Sequence, residues 1–573
     1  MMNKKRTALV GFVAAMLMAL TGLCPCQACA AFAPDSPLSW TETAKNPVVP
    51  DSIYPHTLHD DISAAGVSYS GYDETKVNTV LQELEKYTKA SPSGSPIYDA
   101  QTAVPLLLDS LLAETDTLFT QYELRNLDYY RDVNNDAISD EISKIYEDYV
   151  ATADRALRVL RDISKGPNGK ILKKELTKNQ IAFLEDYKDM TKREKRLLKE
   201  EDALVQEYDK LILNSKDYEK DNKAFARIYS KLVNIRNELA TIHDYENYPD
   251  YSYEMVYYRD YSCDDAKSLY ADVKKYMVPL FVESCQAFYN LDYFSLLSVH
   301  DSGDEILGNI APYIDDIDPA LKSAFNYLRR HHTYDLDDSP TKMDIGYTVD
   351  LSEYGALYIF NKPYNEAADY SVIIHEFGHY NAGFHNRQHS LFTEQGSFDI
   401  AEIQSQGLEL LFLDYYDELF GDITDITKKE TIINILTGVV TGCMYDEFQQ
   451  TIYDHPNMTR KEINALSADL AEEYGMIDAG YMTKESAPYD WVEISHTFES
   501  PMYYISYATS ALSSLDILTE SLDDRDAAVK KYMDVTAVKS DVPYLKGLKK
   551  CGLRNVFETK TVKDIAEKIR SYN

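Results

Sequence analysis

Residues 372–379 contain the motif H-E-x-x-H, formed by His375, Glu376 and His379. Residues four positions apart lie on one face of a helix, so both imidazoles can reach the same metal ion. Glu376 projects beside that ion and can take a proton from the attacking water. The spacing therefore predicts a helical zinc site with a general base next to it, which is the chemistry of metal-dependent peptide hydrolysis.

Catalytic zinc is expected to have a third protein ligand, and two residues compete for that place. His385 follows His379 by six positions, the metzincin spacing, but Ala382 stands where that pattern has its glycine. Glu402 lies on a second predicted helix. We favour Glu402 as the third ligand and keep His385 as the alternative.

The helix that carries Glu402 is apolar except on one face. The polar residues on that face are Asp399, Glu402, Ser405 or Gln406, and Glu409. Buried polar groups need partners, and a metal centre would supply them. We expect Asp399 to orient one of the ligand histidines.

A distant segment carries His496 and a group of tyrosines that could donate hydrogen bonds to a developing oxyanion. Tyr504 and Tyr507 are three positions apart and share a helix face, so we assign them, with His496 and Glu376, as catalytic residues. Tyr503 is the alternate, with a role in substrate binding. Core packing in a chain with 47 tyrosines is the competing explanation for this group.

The elements that must position these residues are mostly helices. Helical periodicity runs from about residue 103 to 239, with a turn at 165–169, and returns from residue 367 onward. Two β signals, at 347–351 and 356–360, lie between these helical regions. The sequence therefore predicts a mostly α-helical protein with a small β-sheet directly before the active-site helix.

These motifs together resemble the thimet oligopeptidase / oligoendopeptidase F family of zinc metallopeptidases, over about residues 190–573. The resemblance rests on His375-Glu-Phe-Gly-His379, on Glu402 within E-x-x-S-Q-x-x-E, and on the His- and Tyr-rich segment around Pro501. It implies a two-lobed helical body with a deep central channel and one Zn²⁺ per chain held by the two histidines and Glu402. It also implies an edge strand at Gly355, Ala356 and Tyr358 that pairs with the substrate backbone.

Three regions are expected along the chain. Residues 1–30 combine Lys4-Lys5-Arg6, an apolar run and an Ala28-Cys29-Ala30 site, which is typical of a signal peptide. Residues 31–190 form an N-terminal helical region, and residues 191–573 form the catalytic region. We expect a secreted or cell-surface protein of bacterial export type, with lipid anchoring the less favoured alternative.

Composition excludes some classes of partner. The formal charge of −36 repels phosphate backbones and anionic lipids, so we expect neither nucleic acid nor membrane binding after signal removal. Outside the first thirty residues only Cys263, Cys285, Cys443 and Cys551 remain, and none forms a C-x-x-C pair. We expect buried thiols rather than a disulfide framework, although spacing alone leaves a Cys263–Cys285 bridge open.

The expected function is a secreted, monomeric zinc metalloendopeptidase that hydrolyses internal bonds of short unstructured oligopeptides. Two rivals remain. A metzincin-like secreted proteinase would use His385 as its third ligand and cleave folded proteins. A non-catalytic peptide-binding surface protein would have no need of Glu376.

Overall fold

A computed structural model describes most of the chain and shows the predicted mostly helical fold with one small sheet. The described residues are 68–89, 99–386, 389–392, 397–539 and 542–572. The predicted signal peptide lies outside them, so its assignment stays a prediction.

The N-terminal helical region packs around its own hydrophobic cluster. Its helices are α1 (Glu74–Glu85), α2 (Ala100–Arg131), α3 (Asp136–Lys165), α4 (Gly169–Glu175) and α5 (Lys178–Asp186). The gap between α3 and α4 confirms the predicted turn. The cluster includes Val77, Leu108, Leu160 and Leu184, all nearly inaccessible to solvent.

The rest of the helices surround a second and larger cluster, which extends from Leu204 to Ile569. They are α6 (Lys192–Asn214), α7 (Tyr218–Ile242), α8 (Tyr248–Tyr251), α9 (Cys263–Asp272), α10 (Val278–Phe288), α11 (Gly303–Ile317), α12 (Pro319–His331), α13 (Ala368–His385), α14 (Phe398–Phe412), α15 (Tyr416–Phe420), α16 (Thr424–Asp454), α17 (Arg460–Glu473), α18 (Ser495–Phe498), α19 (Ile505–Ser521), α20 (Arg525–Thr536), α21 (Tyr544–Cys551) and α22 (Thr559–Tyr572). The first cluster also includes Leu391 and Phe392, so it is not confined to the residues before the predicted boundary at 190 and 191. The boundary itself stays a prediction.

Local sequence signals explain where several of these helices begin. A Ser or Thr side chain accepts from the backbone three residues on, while the residue there bonds back to the cap. Such capping boxes start α5, α6, α9, α11 and α17, at Thr177, Thr191, Ser262, Ser302 and Thr459.

The small sheet has three strands, β1 (Tyr334–Asp335), β2 (Gly346–Leu351) and β3 (Ala356–Asn361), in the order β1-β3-β2. The two longer strands confirm both β signals, and they pair in antiparallel fashion along their whole length. The two-residue β1, which pairs with β3 in parallel, has no signal in the sequence.

Alternation along the strands places the sheet between the two parts of the protein. Tyr358 and Phe360 pack with Leu124 of α2 in a cluster of their own, whereas Leu357 and Ile359 belong to the large cluster that contains α13. The sheet thus separates the long N-terminal helix α2 from the helix that carries H-E-x-x-H.

The expectation that the strand at Gly355, Ala356 and Tyr358 is an edge strand needs correction, because β3 is the middle strand. Its second half pairs with β1 at Ile359 and Phe360, but β1 is too short to reach further. In the described part of the chain, residues 356–358 therefore have a strand partner on the β2 side only. Gly355 precedes them with φ 64°, a left-handed conformation that suits glycine.

Cys263, Cys285, Cys443 and Cys551 are all buried free thiols, so the Cys263–Cys285 bridge that spacing left open is not formed. Among the helices of the described segments, none is both long enough and apolar enough to cross a bilayer.

Candidate active site

The start of α13 is fixed by the carboxylate of Asp369. It accepts hydrogen bonds of 2.8 Å from the backbone N–H groups of Tyr364 and Asn365, in the turn that leads from β3. His375 and His379 then lie one turn apart with ring centroids separated by 5.0 Å. Helix α13, which follows the turn after β3, thus presents both imidazoles on one face, as the motif spacing predicts.

Helix α14 brings Glu402 to the same point. Its Oε2 atom lies 3.3 Å from Nε2 of His375 and 3.5 Å from Nε2 of His379. One ligand atom from each of the three residues falls within 4.8 Å of the others. Two consecutive α-helices therefore create one compact three-residue group.

Gly378 explains how the two helices come so close. A Cβ at this position would lie 2.4 Å from the carbonyl oxygen of Gln404 and 2.6 Å from Cα of Ser405. Only glycine leaves room for α14 to cross there. The glycine inside H-E-x-x-H therefore sets the distance between the two histidines and Glu402.

The three residues fit a zinc ion. Nε2 of His379 and Oε1 of Glu402 are buried and have no hydrogen-bond partner among the described residues. Unpartnered buried polar atoms are costly unless something else binds them. Zinc bonds of 2.0–2.1 Å in a tetrahedron place ligand atoms about 3.3–3.4 Å apart, close to the separations between Glu402 and the two histidines.

The side chains of this group also shift one another's pKa values. Burial alone would raise the pKa of Glu402, but His379 and His375 hold that pKa well below its usual range. The pKa of His375 is raised despite burial, because Glu402 and Glu409 stabilise its charged form. Glu402 is therefore an anion, the form that a metal ligand requires.

Glu409 orients His375. Its Oε1 atom lies 2.7 Å from Nδ1 of that imidazole, and its other oxygen accepts from the hydroxyl of Ser371. The expected role of Asp399 is therefore wrong. Asp399 accepts instead from the hydroxyls of Tyr261 and Thr509, at 2.9 Å each. Glu409 lies two turns after Glu402 on the same helix face, whereas Asp399 points toward α19.

Glu376 is held by the sheet. The Oγ1 atom of Thr348, on β2, lies 2.8 Å from Oε2 of Glu376 and 3.0 Å from its backbone oxygen. Burial raises the pKa of Glu376, and the neighbouring histidines and Thr348 oppose that shift. A buried carboxylate beside two candidate metal ligands has the position of a general base.

His385, the alternative third ligand, lies outside the metal-ligating group found among the described residues. It ends α13 and lies half-buried near the start of α12. Burial lowers its pKa, against a hydrogen bond with the backbone of Ala320 and the charge of Asp318. The metzincin spacing is thus present in the sequence without a metzincin geometry.

His496 lies among the tyrosines, as the distant segment suggests. Its ring centroid is 5.2 Å from those of Tyr503 and Tyr504 and 6.0 Å from that of Tyr507. Burial lowers the pKa of His496 to about 4, so the ring is neutral near pH 7. Its Nδ1 atom is buried without a hydrogen-bond partner in the described structure.

The three tyrosines differ in what they face. Burial raises the pKa of Tyr503 and of Tyr507, and the negative charge of Glu402 raises both further. The pKa of Tyr504 is raised by burial and by Asp490 instead. Tyr503 and Tyr507 are therefore the two tyrosines within electrostatic reach of Glu402, and the catalytic assignment of Tyr504 stays a prediction.

The predicted substrate-binding residues of β3 can act through their backbone only. The Tyr358 side chain faces α2, where its hydroxyl accepts from Arg131 at 3.2 Å. Ala356 precedes it on the strand, and Gly355 lies immediately before β3. Since residues 356–358 have a partner on one side, their other side could pair with an extended peptide.

Sequence reasoning missed Thr348 and the specific role of Glu409. Glu409 could have been found, because it shares a helix face with Glu402. Thr348 could not, since nothing in the spacing indicates that β2 lies against Glu376.

No family model matches the chain. Among curated proteins, oligopeptidase PepF of Bacillus subtilis (strain 168) is 23% identical over 270 residues. That match covers 45% of this chain and 38% of PepF, so it spans well under half of the relative.

Solved structures match over most of the chain. PZ peptidase A, solved with an inhibitor, has a TM-score of 0.72 at 18% identity and covers 89% of this chain and 99% of its own. A candidate oligoendopeptidase F from Bacillus anthracis strain Ames has a TM-score of 0.68 at 17% identity, covering 88% and 97%. Metallocarboxypeptidase 1 of Trypanosoma cruzi has a TM-score of 0.58 at 12% identity, covering 86% and 100%.

The chain therefore has the fold of the oligoendopeptidase F structures. Together with the sequence similarity to PepF, this confirms the resemblance to the oligoendopeptidase F family that the motifs predict.

Proposed function

We propose that this chain, with its oligoendopeptidase fold, is a zinc-dependent endopeptidase that hydrolyses internal bonds of short unstructured oligopeptides. The observation that carries the proposal is the convergence of His375, His379 and Glu402 with Glu376 beside them. The relatives named above are peptidases, which supports the same reaction class.

His375, His379 and Glu402 would hold the zinc, and Glu409 would keep the His375 ring in its ligating orientation. A zinc ion bound there would polarise the scissile carbonyl and lower the pKa of a water molecule. One carboxylate and the imidazole nitrogens of two histidines are a donor set of catalytic zinc sites.

Glu376 would act as the general base and acid. Its carboxylate takes a proton from the attacking water and passes it to the leaving amine. Thr348 holds the carboxylate from one side, so that its other lone pairs stay directed toward the site. Burial favours the protonated form of Glu376, which makes its carboxylate a stronger base toward the attacking water.

The developing oxyanion needs donors besides a metal. Tyr503 and Tyr507 are suitable because each carries a hydroxyl within the electrostatic influence of Glu402. His496 packs against both rings and is neutral, so it can donate from one ring nitrogen only. We assign the oxyanion role to Tyr503, Tyr507 and His496, with Tyr504 as the alternative.

Substrate would enter as an extended strand along residues 356–358 of β3. A folded protein could present such a strand only after unfolding, which costs ~5–15 kcal/mol. Short unstructured peptides have no such cost. We therefore propose peptides of up to about twenty residues as substrates, on the order of the reach of a channel at ~3.3 Å per residue.

Both rival functions are less well supported. A metzincin-like proteinase needs His385 to join the other two histidines, and His385 lies half-buried near α12 instead. A peptide-binding protein without activity has no use for a buried Glu376 held by Thr348.

The experiment is a digest of a peptide length series beside a folded protein of similar composition, followed by mass spectrometry. We expect chelator-sensitive cleavage at internal bonds of the short peptides, restored by zinc, and little cleavage of the folded protein. Equal rates on both would contradict the size limit. Release of single C-terminal residues only would indicate a carboxypeptidase.

We also propose that the mature chain is exported and acts as a monomer on extracellular oligopeptides. The support for export is the signal-like sequence of residues 1–30. N-terminal sequencing of protein from the culture medium should find a start at residue 31 or a few residues later. An intact N-terminus in the cytoplasm would contradict export.

A further inference from the structure

The segment between α18 and α19 is irregular yet buried, and it carries Tyr503. Buried backbone groups outside helices and strands need side-chain partners. The N–H of Met502 donates to Oε1 of Gln449 at 2.9 Å, and the carbonyl of Pro501 accepts from the Tyr257 hydroxyl at 3.1 Å. Residues from other elements therefore hold this segment.

Met502 has a left-handed backbone with φ 68°, which is uncommon for a residue with a side chain. Such a conformation persists only where surrounding contacts fix it, and it is frequent at functional sites. Here it immediately precedes Tyr503 and so determines the direction in which that side chain leaves the backbone.

Arg259 makes the largest share of these contacts. Its guanidinium donates to the carbonyl of Met502 at 2.8 Å, to the Ser506 hydroxyl at 2.9 Å and to the carbonyl of Tyr503 at 3.4 Å. The side chain is completely buried, and the rings of Tyr253 and Tyr257 lie 4.4 and 4.6 Å from its central carbon.

The same guanidinium reaches the helix of the metal centre. Its Nε atom lies 3.4 Å from Oδ2 of Asp399, which is one turn before Glu402 on α14. Asp399 in turn accepts from Thr509 of α19. Arg259 therefore connects the helix that carries Glu402 with the segment that carries Tyr503.

We propose that Arg259 is a positioning residue that fixes the position of the Tyr503 hydroxyl relative to Glu402. In that position the hydroxyl contacts the transition state. This inference rests on the proposed function. The N–H groups of a planar guanidinium point in fixed directions, so they can contact a carbonyl, a hydroxyl and a carboxylate at the same time. A lysine ammonium cannot reproduce that geometry. Arg259→Lys should therefore keep the buried charge and lose the alignment.

The test is a double-mutant cycle on the zinc-loaded full-length enzyme with a quenched-fluorescent peptide. We expect Arg259→Lys to lower kcat about tenfold, with a smaller change in KM, because misplaced groups act mainly on the transition state. In a Tyr503→Phe background the same substitution should lower kcat less than twofold, since its effect passes through the missing hydroxyl. Full multiplication of the two effects would overturn the proposal.

Arg236→Lys is the matched control. Arg236 is also completely buried and donates to the carbonyl of Phe498, the last residue of α18 before this segment, but its carboxylate partner is Glu201 of α6. We expect Arg236→Lys to lose about as much thermal stability as Arg259→Lys. Its effect on kcat should multiply in full with the effect of Tyr503→Phe. A cycle for Arg236 that matches the Arg259 cycle would reduce Arg259 to a structural role.

A second variant guards against a misfolded Arg259→Lys protein. Asp399→Asn breaks the same link from its other end while it keeps the side-chain shape, and it should show the same non-additivity with Tyr503→Phe. Independent additive effects would overturn the proposal in this variant as well.

A binding measurement separates this inference from the proposed function. A phosphinic peptide, which mimics the tetrahedral transition state, should bind Arg259→Lys about tenfold more weakly by calorimetry, while a product peptide binds unchanged. Zinc affinity should stay within about threefold, because the crossing of α13 and α14 that brings the three ligands together is set at Gly378. Equal weakening for both ligands would overturn the inference, whereas an inactive wild-type enzyme would refute the proposed function.

Discussion

The metal centre and the tyrosine segment reach the same site by different means. His375, His379 and Glu402 sit on two regular helices whose crossing is set by Gly378. Tyr503 follows an irregular stretch that side chains from distant elements hold in place. Regular helices transmit sequence spacing directly into geometry, whereas an irregular segment takes its geometry from its contacts.

The largest effect expected is on turnover, from Glu376→Gln. The amide keeps the shape and the contact with Thr348 but cannot accept the proton, so kcat should fall about a thousandfold. Zinc content should stay unchanged, because Glu376 is not among the three converging ligands. Steady-state kinetics with metal analysis measures both. Activity near the wild-type level would remove the base from the mechanism.

Metal affinity should separate the two candidate third ligands. Glu402→Ala removes an anion from the site and should weaken zinc binding by at least about a hundredfold. His385→Ala, the matched control at the end of the same motif, should change zinc affinity by less than about threefold. Competition with a chromophoric chelator gives both values. The reverse order would restore the metzincin interpretation.

A smaller loss of metal affinity should follow from Glu409→Gln. The amide still contacts His375 but no longer stabilises its ligating form as a carboxylate does, so zinc should bind about ten- to a hundredfold more weakly. Asp399→Asn is the control on the same helix, and it should leave zinc affinity nearly unchanged. A larger effect from Asp399 would return the orienting role to that residue.

Gly378→Ala tests the helix crossing itself. The added methyl group meets backbone atoms of Gln404 and Ser405 that cannot rotate away, so the protein should lose about 1–3 kcal/mol of stability. Gly308→Ala is the control, because nothing lies within 4 Å of a Cβ there. Denaturant unfolding of both variants measures the difference. Equal stability would mean that α14 can move without cost.

The smallest effect should come from Tyr504→Phe. Its hydroxyl is buried without a partner among the described residues, and burial and Asp490, not Glu402, raise its pKa. We therefore expect kcat to change less than about twofold. Tyr503→Phe, the neighbouring change, should lower kcat on the order of a hundredfold. If Tyr504 proves the more sensitive, the oxyanion role belongs to that residue, as the helix-face argument predicts.

These contrasts show how much of the fold and of the candidate site could be predicted from the sequence. The helices, both longer strands and the convergence of Glu402 with the H-E-x-x-H histidines follow from periodicity and spacing. The position of His385 does not, because a six-residue spacing says nothing about where a helix ends.

Long-range contacts account for what could not be predicted. Thr348 reaches Glu376 only through the sheet register, and Arg259 reaches Met502 across 243 positions of sequence. The middle place of β3 depends on the two-residue β1, which is too short to give a pattern. Glu409 lies two turns after Glu402, so its contact with His375 was open to prediction, whereas the contact of Asp399 with α19 depends on packing between distant helices.

The most direct test of the account is zinc K-edge absorption spectroscopy of the purified protein, with metal analysis of the same sample. We expect about one zinc per chain, bound by two imidazoles and a carboxylate at about 2.0–2.2 Å. The spectrum should change in Glu402→Ala and stay the same in His385→Ala. A site with three imidazoles, or a protein that holds no zinc after equilibration with the metal, would contradict the central claim.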